Sequence, residues 1–110
     1  MNPYRDTDLF IDGRWRDGTQ ERLPVIDPAT EETIGTLAHA GATDLDEALA
    51  TADRGFRIWR DVGAFDRCKL MRKAAILLRE RAEHVACLMT REQGKPLAEA
   101  RLETLGGAHT

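Results

Sequence analysis

The run Glu92-Gln93-Gly94-Lys95-Pro96-Leu97 ends one long amphipathic stretch and opens another. Gly94 suits the position just past a helix C-terminus, where φ is often positive. Pro96 has no N–H to continue the helix before it, but its fixed φ suits the first turn of a new one. The run therefore predicts a helix, a left-handed stop and a second helix, with Gly94 structural and not a phosphate binder.

Upstream of that joint the apolar residues keep helical spacing back to Ala42-Thr43, where the period changes from 2 to 3.6. Thr43 is the expected N-cap, and Asp44, Asp46 and Glu47 place negative charge in the first turn. Leu45, Ala48, Leu49, Ala52, Phe56 and Trp59 fall on one stripe, interrupted by Gly55. A second segment, residues 65–93, carries Leu70, Ala74, Leu77, Leu78, Ala82, Val85, Leu88 and Met89 on its apolar side. It is long for a globular helix, so a break is expected between Arg81 and Glu83. Strict a/d heptads are not sustained, which argues against a coiled coil. The connection Asp61-Val62-Gly63-Ala64 is short, which predicts an antiparallel pair of residues 43–60 against 65–93, with Trp59 and Leu77 or Leu78 buried at the contact. A third, short helix is expected over 97–105 and a tail over 106–110. Gly106-Gly107 is not a phosphate loop, since no GxGxxG pattern and no following helix accompany it.

The first part of the chain reads as β. Leu9-Phe10-Ile11 and Arg14-Trp15-Arg16 flank Asp12-Gly13, a strong two-residue hairpin signal. Asp17-Gly18 marks a second turn. Residues 23–28, with Pro24 and Pro28, are extended because residues before proline avoid the α region. Thr33 to Ala38 form a further run, suited to an edge or irregular strand. Residues 1–7 are polar and expected to fray. The organisation is thus a β-hairpin arm over 1–42, a helical part over 43–105 and a tail over 106–110.

Composition narrows the function classes. The 110 residues allow one domain at most, or a piece of one. With 42% apolar and 32% charged residues, the chain reads as soluble and globular rather than disordered. A net charge of −3 with interspersed signs gives no footprint for nucleic acid or anionic membranes. No apolar run reaches the length of a membrane span, and the start lacks a secretory core, so a cytoplasmic location is the default. Cys68 and Cys87 sit inside helical patterns without CxxC spacing, while His39, His84 and His109 are scattered. Both thiols are expected to be reduced and structural, and no zinc site is expected. Arg67 and Lys69 beside Cys68 offer charge but no base, so it does not read as a catalytic thiol.

Taken together, Leu9-Phe10-Ile11-Asp12-Gly13-x-Trp15, Ile26-Asp27-Pro28-Ala29-Thr30, Phe56-x-x-Trp59-Arg60 and Leu88-Met89-Thr90-x-Glu92-Gln93-Gly94-Lys95-Pro96-Leu97-Ala98-Glu99-Ala100 resemble the N-terminal part of the aldehyde dehydrogenase superfamily. The likeness is nearest the succinate-semialdehyde-type branch, and order and spacing agree from Leu9 to Glu103. The resemblance implies an α/β fold in which residues 43–105 belong to an incomplete N-terminal, cofactor-binding domain. It also implies oxidation of a small aldehyde to the acid with NAD or NADP, and a homo-oligomer at full length. In such enzymes a cysteine thiolate attacks the aldehyde, hydride passes to the nicotinamide, and water hydrolyses the thioester. The nucleophile, the general base and the pyrophosphate glycines lie downstream of anything present here. Cys68 and Cys87 do not match the nucleophile's motif, nor Glu92 and Glu99 the base. No catalytic, cofactor-binding or metal residue is carried onto this chain. Some members bind a monovalent cation through carbonyls near Ile26 and an acid after this joint; Thr104 stands at the acid's place here.

After Glu103 the chain departs from the family pattern, as an interrupted reading frame would. The expectation is an inactive N-terminal fragment that binds no cofactor by itself. Its apolar stripes would be shared with absent elements, leaving it marginally stable and prone to associate. The competing expectation is a stand-alone helical interaction module without catalysis.

Overall fold

A computed structural model describes residues 3–109 of the 110-residue chain. Its order is β1 (Leu9–Ile11), β2 (Arg14–Arg16), β3 (Gln20–Ile26), β4 (Thr33–His39), α1 (Ala42–Arg60), α2 (Ala64–Glu80), α3 (Ala82–Gln93) and α4 (Leu97–Gly107). The described residues of Met1–Ile26 and Thr33–Asp61 form one compact unit, and those of Asp27–Glu32 and Val62–Thr110 a second. This differs from the division at residue 42 read from the composition shift. The first helix belongs with the strands because its first turn is tied to them, as described below.

In the first unit β1 and β2 pair antiparallel, with Phe10 opposite Trp15. Asp12 and Gly13 take φ of 54° and 73°, the two positive values that the primed hairpin turn requires. Phe10 and Trp15 stack with ring centroids 4.8 Å apart while both stay exposed. β3 and β4 form a second antiparallel pair with register shifts after Gln20 and after Val25. Irregularity is what a proline-bearing strand predicts, since Pro24 has no N–H for the ladder. Residues 3–7 are not frayed. Thr7 accepts from Ala38 N–H at 2.8 Å and donates to the Thr36 carbonyl at 3.0 Å, and Asp6 Oδ1 accepts from Thr36 N–H at 2.8 Å. Met1 and Asn2, also expected to fray, lie outside the described residues.

α1 starts one residue earlier than expected, and its N-cap is Gly41, not Thr43. Asp44, at the third helical position, reaches back and accepts the Gly41 N–H at 2.9 Å. This is half of a capping box with Asp in place of the usual Glu. The buried side of α1 is small: Asp44 is buried, and Ala48 and Thr51 are half-buried, at i, i+4 and i+7. The large stripe through Leu45, Leu49, Phe56 and Trp59 is exposed, Trp59 at 39%. The expected burial of Trp59 in a helix pair is therefore not found. Within its own unit α1 packs on β1, a three-residue strand with little apolar area to offer.

In the second unit the long helical segment breaks at Arg81 (φ −100°, ψ 7°), inside the expected interval. α3 and α4 pack on each other, and α2 packs on both. Ala86, Ala100 and Ala108 are buried where these helices meet, so close approach is built on alanines. Leu77 and Leu78, the residues expected at the α1 contact, are half-buried. α4 runs to Gly107, so the first two residues of the expected tail are helical, and Arg79 donates to the carbonyl of its cap, Ala108. Thr110 lies outside the described residues.

Candidate functional site

Two constellations hold most of the polar order. The first is centred on Asp44, which is 3% exposed. Its carboxylate accepts from Gly41 N–H at 2.9 Å, from Thr19 N–H and Thr19 Oγ1 at 2.8 Å each, and from Arg16 Nη2 at 3.0 Å. The Gly41 N–H, then the two Thr19 donors, hold the carboxyl down to about 2, with the Arg16 charge adding to them against the cost of burial. Arg16 also pairs with Glu47 at 2.7 Å. One side chain thereby joins β2, the turn before β3 and the start of α1. Sequence reading placed Asp44 only as a first-turn charge. The available signal was an acid three residues after Gly41, with Thr19 and Arg16 supplying donors far off in sequence.

The second constellation is the joint at Gly94. Gly94 takes φ 75° and ψ 10° and donates its N–H to the Thr90 carbonyl at 2.8 Å, the left-handed stop expected of it. Pro96 sits one position outside α4, at its N-cap, rather than in the first turn. The Asp27–Glu32 segment folds as a turn: Asp27 N–H donates to the Glu32 carbonyl, Glu31 N–H to the Asp27 carbonyl, and Ala29 N–H to Asp27 Oδ1, at 2.8–2.9 Å. Pro28 of that turn lies over Gly94, so that a Cβ on Gly94 would meet Pro28 Cγ at 3.0 Å. Two of the sequence motifs quoted above are thus neighbours in space. Lys95 pairs with Glu103 across the joint, and Arg101 grips Glu83 with two bonds of 2.7 Å, holding α4 to α3. That Arg101 contact lowers the carboxyl pKa of Glu83.

The other candidates are dispersed. Cys68 is exposed; Cys87 is half-buried, its Sγ 3.9 Å from Glu83 Oε1. Glu92 and Glu99 are exposed. The buried Thr104 donates its hydroxyl to the Ala100 carbonyl at 2.8 Å, turned back on its own helix. Among the described residues no three His, Cys, Asp or Glu side chains converge as a metal site would need.

A dinucleotide would need a strand, a glycine turn and a helix N-terminus open to its pyrophosphate. β4, Ala40-Gly41 and α1 follow one another in that order. There, however, the Asp44 carboxylate already occupies the end of the helix and takes the Gly41 N–H. Its negative charge repels a phosphate, so these residues do not fit the group.

The aldehyde dehydrogenase family model matches residues 15–110. The chain is 48% identical over 101 residues to the 4-(hydroxymethyl)benzenesulfonate dehydrogenase TsaD1 of Comamonas testosteroni, covering 91% of this chain and 21% of the relative. It is 43% identical over 97 residues to the N-succinylglutamate 5-semialdehyde dehydrogenase of Burkholderia mallei, covering 88% and 20%. Among solved structures, betaine aldehyde dehydrogenase from Staphylococcus aureus in complex with NAD+ superposes with a TM-score of 0.83 at 29% identity, covering 88% of this chain and 20% of that one. The chain spans about a fifth of the length of the curated relatives it matches.

Proposed function

The chain belongs to the aldehyde dehydrogenase family, and on that premise we propose that it supplies the N-terminal segment of an NAD(P)-dependent enzyme oxidising an aldehyde to its carboxylic acid. The fold is the α/β, aldehyde dehydrogenase-like one, of which these residues form a β-rich arm and helices. The observation that carries the reading is the joint. The family match runs through it, and its two motifs meet at Gly94 and Pro28. A segment so built holds a scaffold in shape and performs no chemistry.

The substrate we assign is a small semialdehyde bearing a carboxylate, of the succinate-semialdehyde type. The likeness to a relative named for N-succinylglutamate 5-semialdehyde supports that class. NAD or NADP would accept the hydride in the whole enzyme, at residues outside this chain. The whole enzyme is assigned to the cytoplasm as a homo-oligomer; no described helix is long and apolar enough to cross a membrane. The 110-residue chain alone is inactive on this reading. The test is NAD(P)H absorbance with succinic semialdehyde, together with titration calorimetry against NAD and NADP. No turnover and no saturable binding are expected. Turnover, or saturable micromolar binding, would overturn the assignment of the chemistry to other residues.

A further inference from the structure

α1 and α2 each present an exposed stripe that no element of their own unit covers. On α1 it runs Asp46, Leu49, Asp53 and Phe56, at i, i+3, i+7 and i+10, with Leu49 62% and Phe56 63% exposed. On α2 it runs Phe65, Lys69, Arg72 and Ile76, at i, i+4, i+7 and i+11, with Phe65 72% and Ile76 53% exposed. These spacings keep each set on one helix face. The first stripe alternates acid with apolar residues, the second apolar residues with base. Beside the second, Arg72, Ala75, Ile76 and Arg79 line an open groove of about 260 Å³. The charges are held only by weak neighbours on their own helices, Asp53 by Arg57 at 2.9 Å and Lys69 by Asp66 at 3.8 Å. Such exposed pairs exchange at little cost.

The surface area points the same way. A folded monomer of this mass exposes roughly 6,100 Å². This chain exposes 8358 Å², about 2,200 Å² more than that expectation, against the ~800 Å² that each partner gives to a standard interface.

We propose that the acidic, apolar stripe of α1 docks on the basic, apolar stripe of α2 in a second copy of this chain. Leu49 and Phe56 seat beside Ile76 and Phe65, while Asp46 and Asp53 meet Arg72 and Lys69. The two surfaces differ, so the interface is heterologous and each copy keeps one free stripe of each kind. The product is a ladder of oligomers rather than a closed pair. Complementary charge sets the register, and the apolar residues supply the burial.

The experiment is sedimentation velocity over a concentration series on the 110-residue chain and two charge-reversed variants. One carries Asp46→Lys with Asp53→Lys, the other Lys69→Glu with Arg72→Glu. Each reversal turns attraction into repulsion, so each variant alone should associate at least about tenfold more weakly than the parent. Mixed in equal amounts, the two should recover the parent's association, because lysines on one α1 then face glutamates on the other α2. Helical circular dichroism checks that the variants fold. If either does not, the milder Asp46→Asn and Arg72→Gln, with a salt titration of the parent, read the same contact as a loss of association. A parent that stays monomeric, variants that associate as the parent does, or a mixture that stays dissociated would each overturn the proposal. The first would leave the stripes to another polypeptide, the second would mark nonspecific apolar association, and the third would remove the α1–α2 pairing.

Discussion

Replacing Gly94 with alanine should destabilise the second unit through two separate effects. Gly94 holds φ at 75°, where an L side chain crowds the following carbonyl. Placing alanine there costs roughly 1–2 kcal/mol. Its Cβ would also stand 3.0 Å from Pro28 Cγ and 3.7 Å from Pro28 Cβ, so the Asp27–Glu32 turn must give by a few tenths of an ångström. Pro28 is a ring fixed on its own backbone and cannot swing aside as a long side chain would. For a domain of about 100 residues, 1–2 kcal/mol lowers Tm by roughly 5–15 °C. Gly106→Ala is the matched contrast. Gly106 lies inside α4 with nothing within 4 Å of an added Cβ. There alanine should gain up to about 1 kcal/mol of helix propensity and raise Tm. Gly94→Asn should fall between parent and Gly94→Ala, because asparagine tolerates the left-handed region better. Thermal melts followed at the helical dichroism band read all three. A Gly94→Ala melt equal to or above the parent's would refute the left-handed stop and the Pro28 contact together.

Asp44→Asn should reshape the acid limb of the stability curve. The folded carboxyl sits at about 2 against a model value of 3.8, so its contribution is present above about 4 and lost as pH falls through that window. Urea midpoints between pH 2 and 5 should therefore fall more gently with acid in the variant than in the parent; parallel curves would contradict the assignment. Gly18→Ala should prevent the start of β3 from seating, since the added Cβ would lie 1.9 Å from the His39 carbonyl oxygen. Amide hydrogen exchange should show lost protection in β3 and β4, and unchanged protection there would refute it. Arg101→Lys should lower Tm by less than Gly94→Ala, because the paired grip on Glu83 is exposed.

The left-handed stop at Gly94, the Asp12-Gly13 hairpin and the break at Arg81 were legible in the sequence. Each is fixed by local backbone chemistry that one or two residues declare. Burial was not. Leu45, Leu49, Phe56 and Trp59 mark a helical stripe, but periodicity shows only that a face is apolar, not what covers it. The small side of α1, through Asp44, Ala48 and Thr51, packs against strands instead. The hub at Asp44 was hidden for a related reason. Its donors lie 25 and 28 residues away at Thr19 and Arg16, beyond any local pattern. The start of the chain was misjudged likewise, because Thr7 is held by backbone bonds to β4 that composition does not encode. The joint between Pro28 and Gly94 was legible as two motifs, and only the fold brings them together.

The central claim is that residues 15–110 are an aldehyde dehydrogenase N-terminal segment whose work is structural. A chimera tests it most directly. In the 43%-identical N-succinylglutamate 5-semialdehyde dehydrogenase, the aligned segment is replaced by this one, leaving the rest of that enzyme intact. The account predicts a folded chimera that still reduces NAD(P) with its own semialdehyde, and a Gly94→Ala version that melts lower. A chimera that folds and binds cofactor but has lost turnover would place chemistry in the exchanged segment and contradict the account.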